Sequence, residues 1–137
     1  MHNEMHTMTE ATLKGHRILV VDDDYFLASC LTDALSEIGA IIIGPVGTIA
    51  DAVAIISAEP IIHGAILDLN LHGKMTFDVA DQLILRKIAF VFTTGYDTSV
   101  LPARLKHVVL CQKPFSIDTA MHAIAQAIHS QSGQRLG

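Results

Sequence analysis

Residues 17–22 read Arg-Ile-Leu-Val-Val-Asp, four aliphatic side chains in a row stopped by an acid that two more acids, Asp23 and Asp24, follow. A short β-branched run without polar alternation is the signature of a strand buried on both faces. From Tyr25 to Ile38 the spacing changes: Leu27, Leu31, Ala34, Leu35 and Ile38 recur at helical intervals, and Gly39 is a natural stop. The same alternation then repeats along the chain. Residues 41–44 predict a second strand closed by Gly44-Pro45, and Thr48 with Asp51 resembles a capping box. The helix that follows carries Ile49, Ala52, Val53 and Ile56 on one face and ends at Pro60.

A third strand, GAILD at 64–68, again ends in an acid, and Thr76 is placed to cap a helix bearing Val79, Ala80, Leu83 and Ile84. A fourth, AFVFT, occupies 89–93. Residues 98–105 predict only a short or irregular helix, because Pro102 is tolerated near a helix start and nowhere further in. HVVLC at 107–111 is the fifth strand, and Ser116 caps a last helix with Ile117, Ala120, Met121, Ile124 and Ile128 inward. Continuously apolar strands alternating with helices imply an α/β fold, a doubly wound five-stranded parallel sheet with helices on both faces.

A chain of 137 residues with 50% hydrophobic and 17% charged residues suits one compact domain and excludes disorder for its body. The expected domain spans 17–131, with a flexible tail at 1–16 and another at 132–137. Lys+Arg 9 against Asp+Glu 14 leaves a net charge of -5, so no basic stripe points to nucleic acid. No apolar run is long enough to insert in a membrane, and residues 1–16 lack the apolar stretch of a secretory signal. Cys30 and Cys111 lie inside apolar periodic segments, as reduced buried thiols do, so a cytoplasmic setting is expected. The histidines are scattered without metal-ligand spacing and read as solvated or capping residues.

The polar residues that interrupt this pattern share one location. Asp22, Asp23 and Asp24 follow the first strand, Asp68 ends the third, Thr93 and Thr94 end the fourth, and Lys113-Pro114 follow the fifth. In a parallel sheet all these ends lie on one edge, where ligands bind. Carboxylates gathered there repel unless a cation compensates, and a partly hydrated Mg²⁺ is the expected species. Lys113 adds fixed positive charge and Thr94 a hydroxyl, which suits a dianionic phosphoryl group placed among acids. A carboxylate in such a site can act as nucleophile and become an aspartyl phosphate.

These residues resemble the receiver domain of two-component and phosphorelay response regulators: Val-Val-Asp22-Asp23 on the first strand, Asp68 on the third, Thr94-Gly95 after the fourth and Lys113-Pro114-Phe115 after the fifth. The resemblance implies strand order 2-1-3-4-5 and a stand-alone, single-domain regulator. It implies Asp68 as phosphoacceptor from a phosphohistidine on a sensor histidine kinase or a histidine phosphotransfer protein. Asp23 would ligate Mg²⁺ directly, Asp22 mainly through water, Asp68 by its carboxylate and Asn70 by its backbone carbonyl, while Thr94 and Lys113 hold the phosphoryl oxygens. The chain would not be an enzyme beyond assisting its own phosphorylation and dephosphorylation. Its output would be contact with a downstream protein, or homodimerisation. The stretch Phe92-Thr93-Thr94-Gly95-Tyr96 is similar to a single-domain subgroup with a Phe-Ala-Thr-Gly signature.

Two departures accompany the likeness. Leu110 stands where receivers carry an aromatic switch residue, which makes Tyr96 the candidate substitute, and residues 69–76 lack the usual loop pattern, with Gly73 as the expected hinge. Leu110 is also the one feature favouring a docking module that works unphosphorylated. A haloacid-dehalogenase-like phosphatase would need Thr or Val where this chain has Phe26. A flavodoxin-like nucleotide binder would need a Gly- or hydroxyl-rich loop where the acids stand.

Overall fold

The computed structural model describes the backbone of residues 4–95 and 101–136 and the side chains of 8–95 and 101–131. Helices α1 (Glu4–Leu13), α2 (Tyr25–Glu37), α3 (Ile49–Ala58), α4 (Phe77–Leu85) and α5 (Ile117–Leu136) alternate with strands β1 (Arg17–Val21), β2 (Ile41–Val46), β3 (Gly64–Asp68), β6 (Ala89–Thr94) and β7 (Leu110–Gln112); a small hairpin, β4 (Asn70–Leu71) and β5 (Lys74–Met75), follows β3. The five long-range strands form a parallel sheet in the order β2-β1-β3-β6-β7. Counting these five strands alone, this is the expected 2-1-3-4-5 order, with β3 at its centre.

Successive side chains on each strand enter opposite layers. Leu19, Val21, Leu67 and Phe92 meet Ala52 and Ile56 of α3 and Val79, Ala80 and Leu83 of α4 on one face. Ile18, Val20, Ile66 and Val91 meet Leu31 and Leu35 of α2 and Ile124 and Ile128 of α5 on the other. Gly64 gives that second layer room, because a Cβ there would lie 2.8 Å from Ile128 Cδ1 and the Ile128 side chain would have to shift. Side-chain caps start three helices: Asp24 accepts from Leu27 N, Thr48 from Asp51 N and Ser116 from Thr119 N.

Several boundaries differ from the sequence-based expectation. Residues 1–16 are not simply a tail: they contain α1, held by Leu13, which is fully buried in the α2/α5 layer, and by Thr9, whose hydroxyl lies 3.4 Å from His122 Nδ1 of α5. The last helix likewise runs through Leu136 rather than stopping before 132. Thr76 precedes α4 without making a side-chain cap, its hydroxyl being used elsewhere. The fifth strand pairs only over Leu110–Gln112, and 107–109 form the approach to it. Of the weak helix expected over 98–105, residues 96–100 lie outside the described residues; the remainder is a single 3-10 turn, Ala103–Leu105, with Pro102 before it. That turn buries Leu101 and Leu105, and Arg104 grips Asp81 of α4 through two hydrogen bonds of 3.0 and 2.9 Å.

Candidate functional site

The carboxyl ends of β1, β3, β6 and β7 converge as a parallel sheet requires. β1 delivers Asp22, whose Oδ1 accepts from Asp24 N at 2.7 Å, a local turn that frees the Asp24 side chain to cap α2. Asp22 is only 5% exposed, and its second oxygen is buried without a hydrogen bond, 3.5 Å from Lys113 Nζ. β3 ends in Asp68, 4% exposed, with Oδ1 accepting from Asn70 N at 3.1 Å and Oδ2 from Lys113 Nζ at 3.0 Å. β6 places Thr93 beside Asp68 in register and Thr94, fully buried, next along; Lys113 N donates to Thr94 O at 2.7 Å, which fixes where the lysine leaves the sheet. Asp23 is half-buried, and its Oδ2 accepts from His72 N at 2.8 Å.

One oxygen from each of Asp22, Asp23 and Asp68 lies within 4.8 Å of the others. Three carboxylates face one ammonium, and the proton affinities of Asp22 and Lys113 are displaced. Burial, reinforced by the neighbouring Asp68 charge and opposed by the Asp24 amide and Lys113, pushes Asp22 up to about 6. For Lys113 burial works against the charge, but the hydrogen bond and charge of Asp68, with Asp22 behind it, prevail and hold the ammonium above its ordinary value.

The donor set fits a hard divalent cation. All ligand atoms are oxygens, they are close enough to share one ion, and Asp22 Oδ2 is a buried anionic atom lacking a donor. Asn70 belongs to the same arrangement. Leu71 pairs with Lys74 and Leu69 O accepts from Thr76 N, so Asn70 turns its polar backbone edge away from β5. Its N–H already points at Asp68, and its carbonyl lies on that same edge.

The structure thus gathers Asp22, Asp23, Asp68, Asn70, Thr94 and Lys113. Leu110 is not at the carboxylates: it pairs with Phe92 in the sheet and packs, half-buried, against the α3/α4 layer. Tyr96, the other switch candidate, lies outside the described residues. Phe26, at the place where a dehalogenase-like phosphatase needs Thr or Val, is an exposed aromatic on α2.

Two contributors were not anticipated. Thr76 donates its hydroxyl to Asp68 O at 2.7 Å, tying the start of α4 to the end of β3. His72 sits at the hairpin tip, with φ 51, ahead of Gly73 at φ 85. Paired left-handed residues make the turn that matches strand twist, and the His72-Gly73 dipeptide was the only sequence signal for it.

The chain is similar to SdrG from Sphingomonas melonis Fr1, with 34% identity covering 86% of this chain and 97% of that one at a TM-score of 0.69. It also superposes on a CheY-like response regulator receiver domain from Methanospirillum hungatei JF-1 (21% identity, 88% and 99% coverage, TM-score 0.77). The chain belongs to the response regulator receiver family. As a receiver it also shares its fold with the response regulator PhyR from Brucella abortus, at 20% identity and a TM-score of 0.78, covering 97% of this chain and 56% of PhyR. No family model and no curated protein matches the sequence. Among the described residues of this receiver, no helix is long and apolar enough to cross a membrane.

Proposed function

We propose that this receiver takes a phosphoryl group onto Asp68 from a phosphohistidine of a sensor histidine kinase or histidine phosphotransfer protein, in a Mg²⁺-dependent step. The observation that carries the reading is the Asp68 carboxylate itself: recessed, 3.0 Å from Lys113 Nζ, and with carboxylate oxygens of Asp22 and Asp23 within 4.8 Å. An Asp68 oxygen attacks phosphorus, the P–O bond forms as the P–N bond breaks, and the electron pair leaves on the imidazole nitrogen. Asp22, Asp23, Asp68 and the Asn70 carbonyl would hold the Mg²⁺, which would supply positive charge to offset the phosphoryl oxygens. Lys113 exchanges its bond to Asp68 for one to the transferred group, and Thr94 is in line along β6 to donate its hydroxyl.

The chain performs this chemistry on itself and is not an enzyme acting on metabolites. Its output is contact with a downstream protein, with homodimerisation as one form of that contact. A structural neighbour from Bartonella quintana, also a PhyR, is described as an anti-anti-sigma factor, which supports a protein partner as the destination of the signal. With Leu110 in the sheet rather than an aromatic side chain, the signal passes without the usual rotation at that position. Incubation with acetyl phosphate and Mg²⁺, followed by intact mass measurement, tests the reading. Uptake of one phosphoryl group, lost with EDTA and in Asp68→Asn, is expected; equal uptake by Asp68→Asn overturns it, and no uptake by the wild type favours a docking module that works unphosphorylated.

A further inference from the structure

The hairpin after the phosphoacceptor is joined to the acid cluster at both ends. At its base, Asn70 N donates to Asp68 Oδ1 and Thr76 Oγ1 to Asp68 O. At its tip, His72 N donates to Asp23 Oδ2 at 2.8 Å, and His72 Nδ1 lies 3.6 Å from the same oxygen. Asn70 Oδ1 accepts from Gly73 N at 2.9 Å and closes the turn internally. Asp23 is therefore held from outside the sheet: the aspartate comes from β1, and the group that orients it comes from residues beyond β3.

We infer that the β4–β5 hairpin is a positioning element for the cation, acting on Asp23 through the main-chain N–H at position 72 and not through the imidazole. This rests on the cation reading given above. Asp23 Oδ2 accepts from the hairpin, and an oxygen of the same carboxylate lies within 4.8 Å of oxygens of Asp22 and Asp68, so one carboxylate bridges the hairpin and the acid cluster. A free Asp23 would rotate among several rotamers, and fixing it before binding removes that entropy from the binding step. An ordered hairpin strengthens cation binding, and by thermodynamic reciprocity the bound cation orders the hairpin by the same factor. The turn is the vulnerable point. Both tip residues have positive φ, a conformation that β-branched side chains strongly disfavour, yet a Cβ at Gly73 would meet nothing within 4 Å. Gly73→Val therefore opens the turn through backbone preference alone, with no steric push on the carboxylates.

The experiment is a Mg²⁺ titration of wild type, Gly73→Val and His72→Asn, paired with amide hydrogen exchange of the wild type with and without Mg²⁺. Gly73→Val is expected to bind Mg²⁺ about fivefold or more weakly, at the low end of ordinary coupling factors. His72→Asn keeps the main-chain donor and tolerates positive φ, so it stays near wild type. In an Asp23→Ala background, which removes the acceptor for the His72 N–H, Gly73→Val has no further effect, an outcome that general destabilisation would not give. In the wild type, exchange at the His72 amide slows when Mg²⁺ is added. Unchanged His72 exchange, or Gly73→Val affinity within about twofold of wild type, overturns the inference while leaving the cation site standing. A wild type that binds no Mg²⁺ overturns both.

Discussion

Replacing Asp22 by Asn is expected to stabilise this receiver in the absence of metal. Folding carries the Asp22 carboxyl from an ordinary value of 3.8 to about 6. At about 1.4 kcal/mol per unit, that displacement makes the ionised side chain cost about 3 kcal/mol at neutral pH. The folded state binds more protons than the unfolded state between those two values, so stability falls as pH rises from about 4 to about 6 and is then level. Asparagine keeps an oxygen for the Asp24 N–H and carries no charge; the attraction to Lys113 at 3.5 Å that it gives up is already included in the value of about 6. A net gain of about 3 kcal/mol at pH 7 follows, roughly 10 °C in Tm for a domain of this size. Thermal melts in EDTA at pH 4 and pH 7 measure it: the two proteins should nearly coincide at pH 4 and separate at pH 7. Added Mg²⁺ should narrow the gap, because binding to the wild type stabilises its folded state. A variant no more stable than wild type at pH 7, or a gap that does not grow with pH, would refute the electrostatic reasoning.

Other perturbations separate the remaining parts. Leu13→Ala should cost about 2–4 kcal/mol in urea unfolding, since Leu13 is fully buried between α1 and the α2/α5 layer; a loss within about 0.5 kcal/mol would mean that α1 contributes nothing to the folded domain. Lys113→Met should raise the pH at which Asp22 titrates, read by carboxyl NMR, because it removes the ammonium 3.5 Å from Asp22 Oδ2 that opposes the effect of burial. An unchanged Asp22 titration would show that Asp22 does not sense that charge.

The convergence of Asp22, Asp68, Thr94 and Lys113 was legible because strand ends in a parallel sheet share an edge whatever the loops do. Only the ends of four apolar runs had to be located. The N-terminal helix was not legible. Among its described side chains it buries Thr9 and Leu13, one polar and one apolar residue, which is too little for periodicity to detect. The fifth strand was placed too early because Val108 and Val109 continue the apolar run, yet Val109 is 52% exposed and pairing starts at Leu110. The hairpin escaped because its strands are two residues each, too short for alternation to register, leaving His72-Gly73 as a lone turn signal. Thr76 was read as a cap on its residue type; the Asp68 carbonyl, brought near by the hairpin, competes for the same hydroxyl.

The most direct test of the central claim is chemical trapping. Treating the acetyl phosphate-reacted protein with borohydride reduces an acyl phosphate to an alcohol, so the reacted residue becomes homoserine and can be located by peptide mass spectrometry. Homoserine at position 68, with Asp22 and Asp23 intact, is the expected result; homoserine at 22 or 23, or none at 68 in protein that has gained a phosphoryl group, would contradict it.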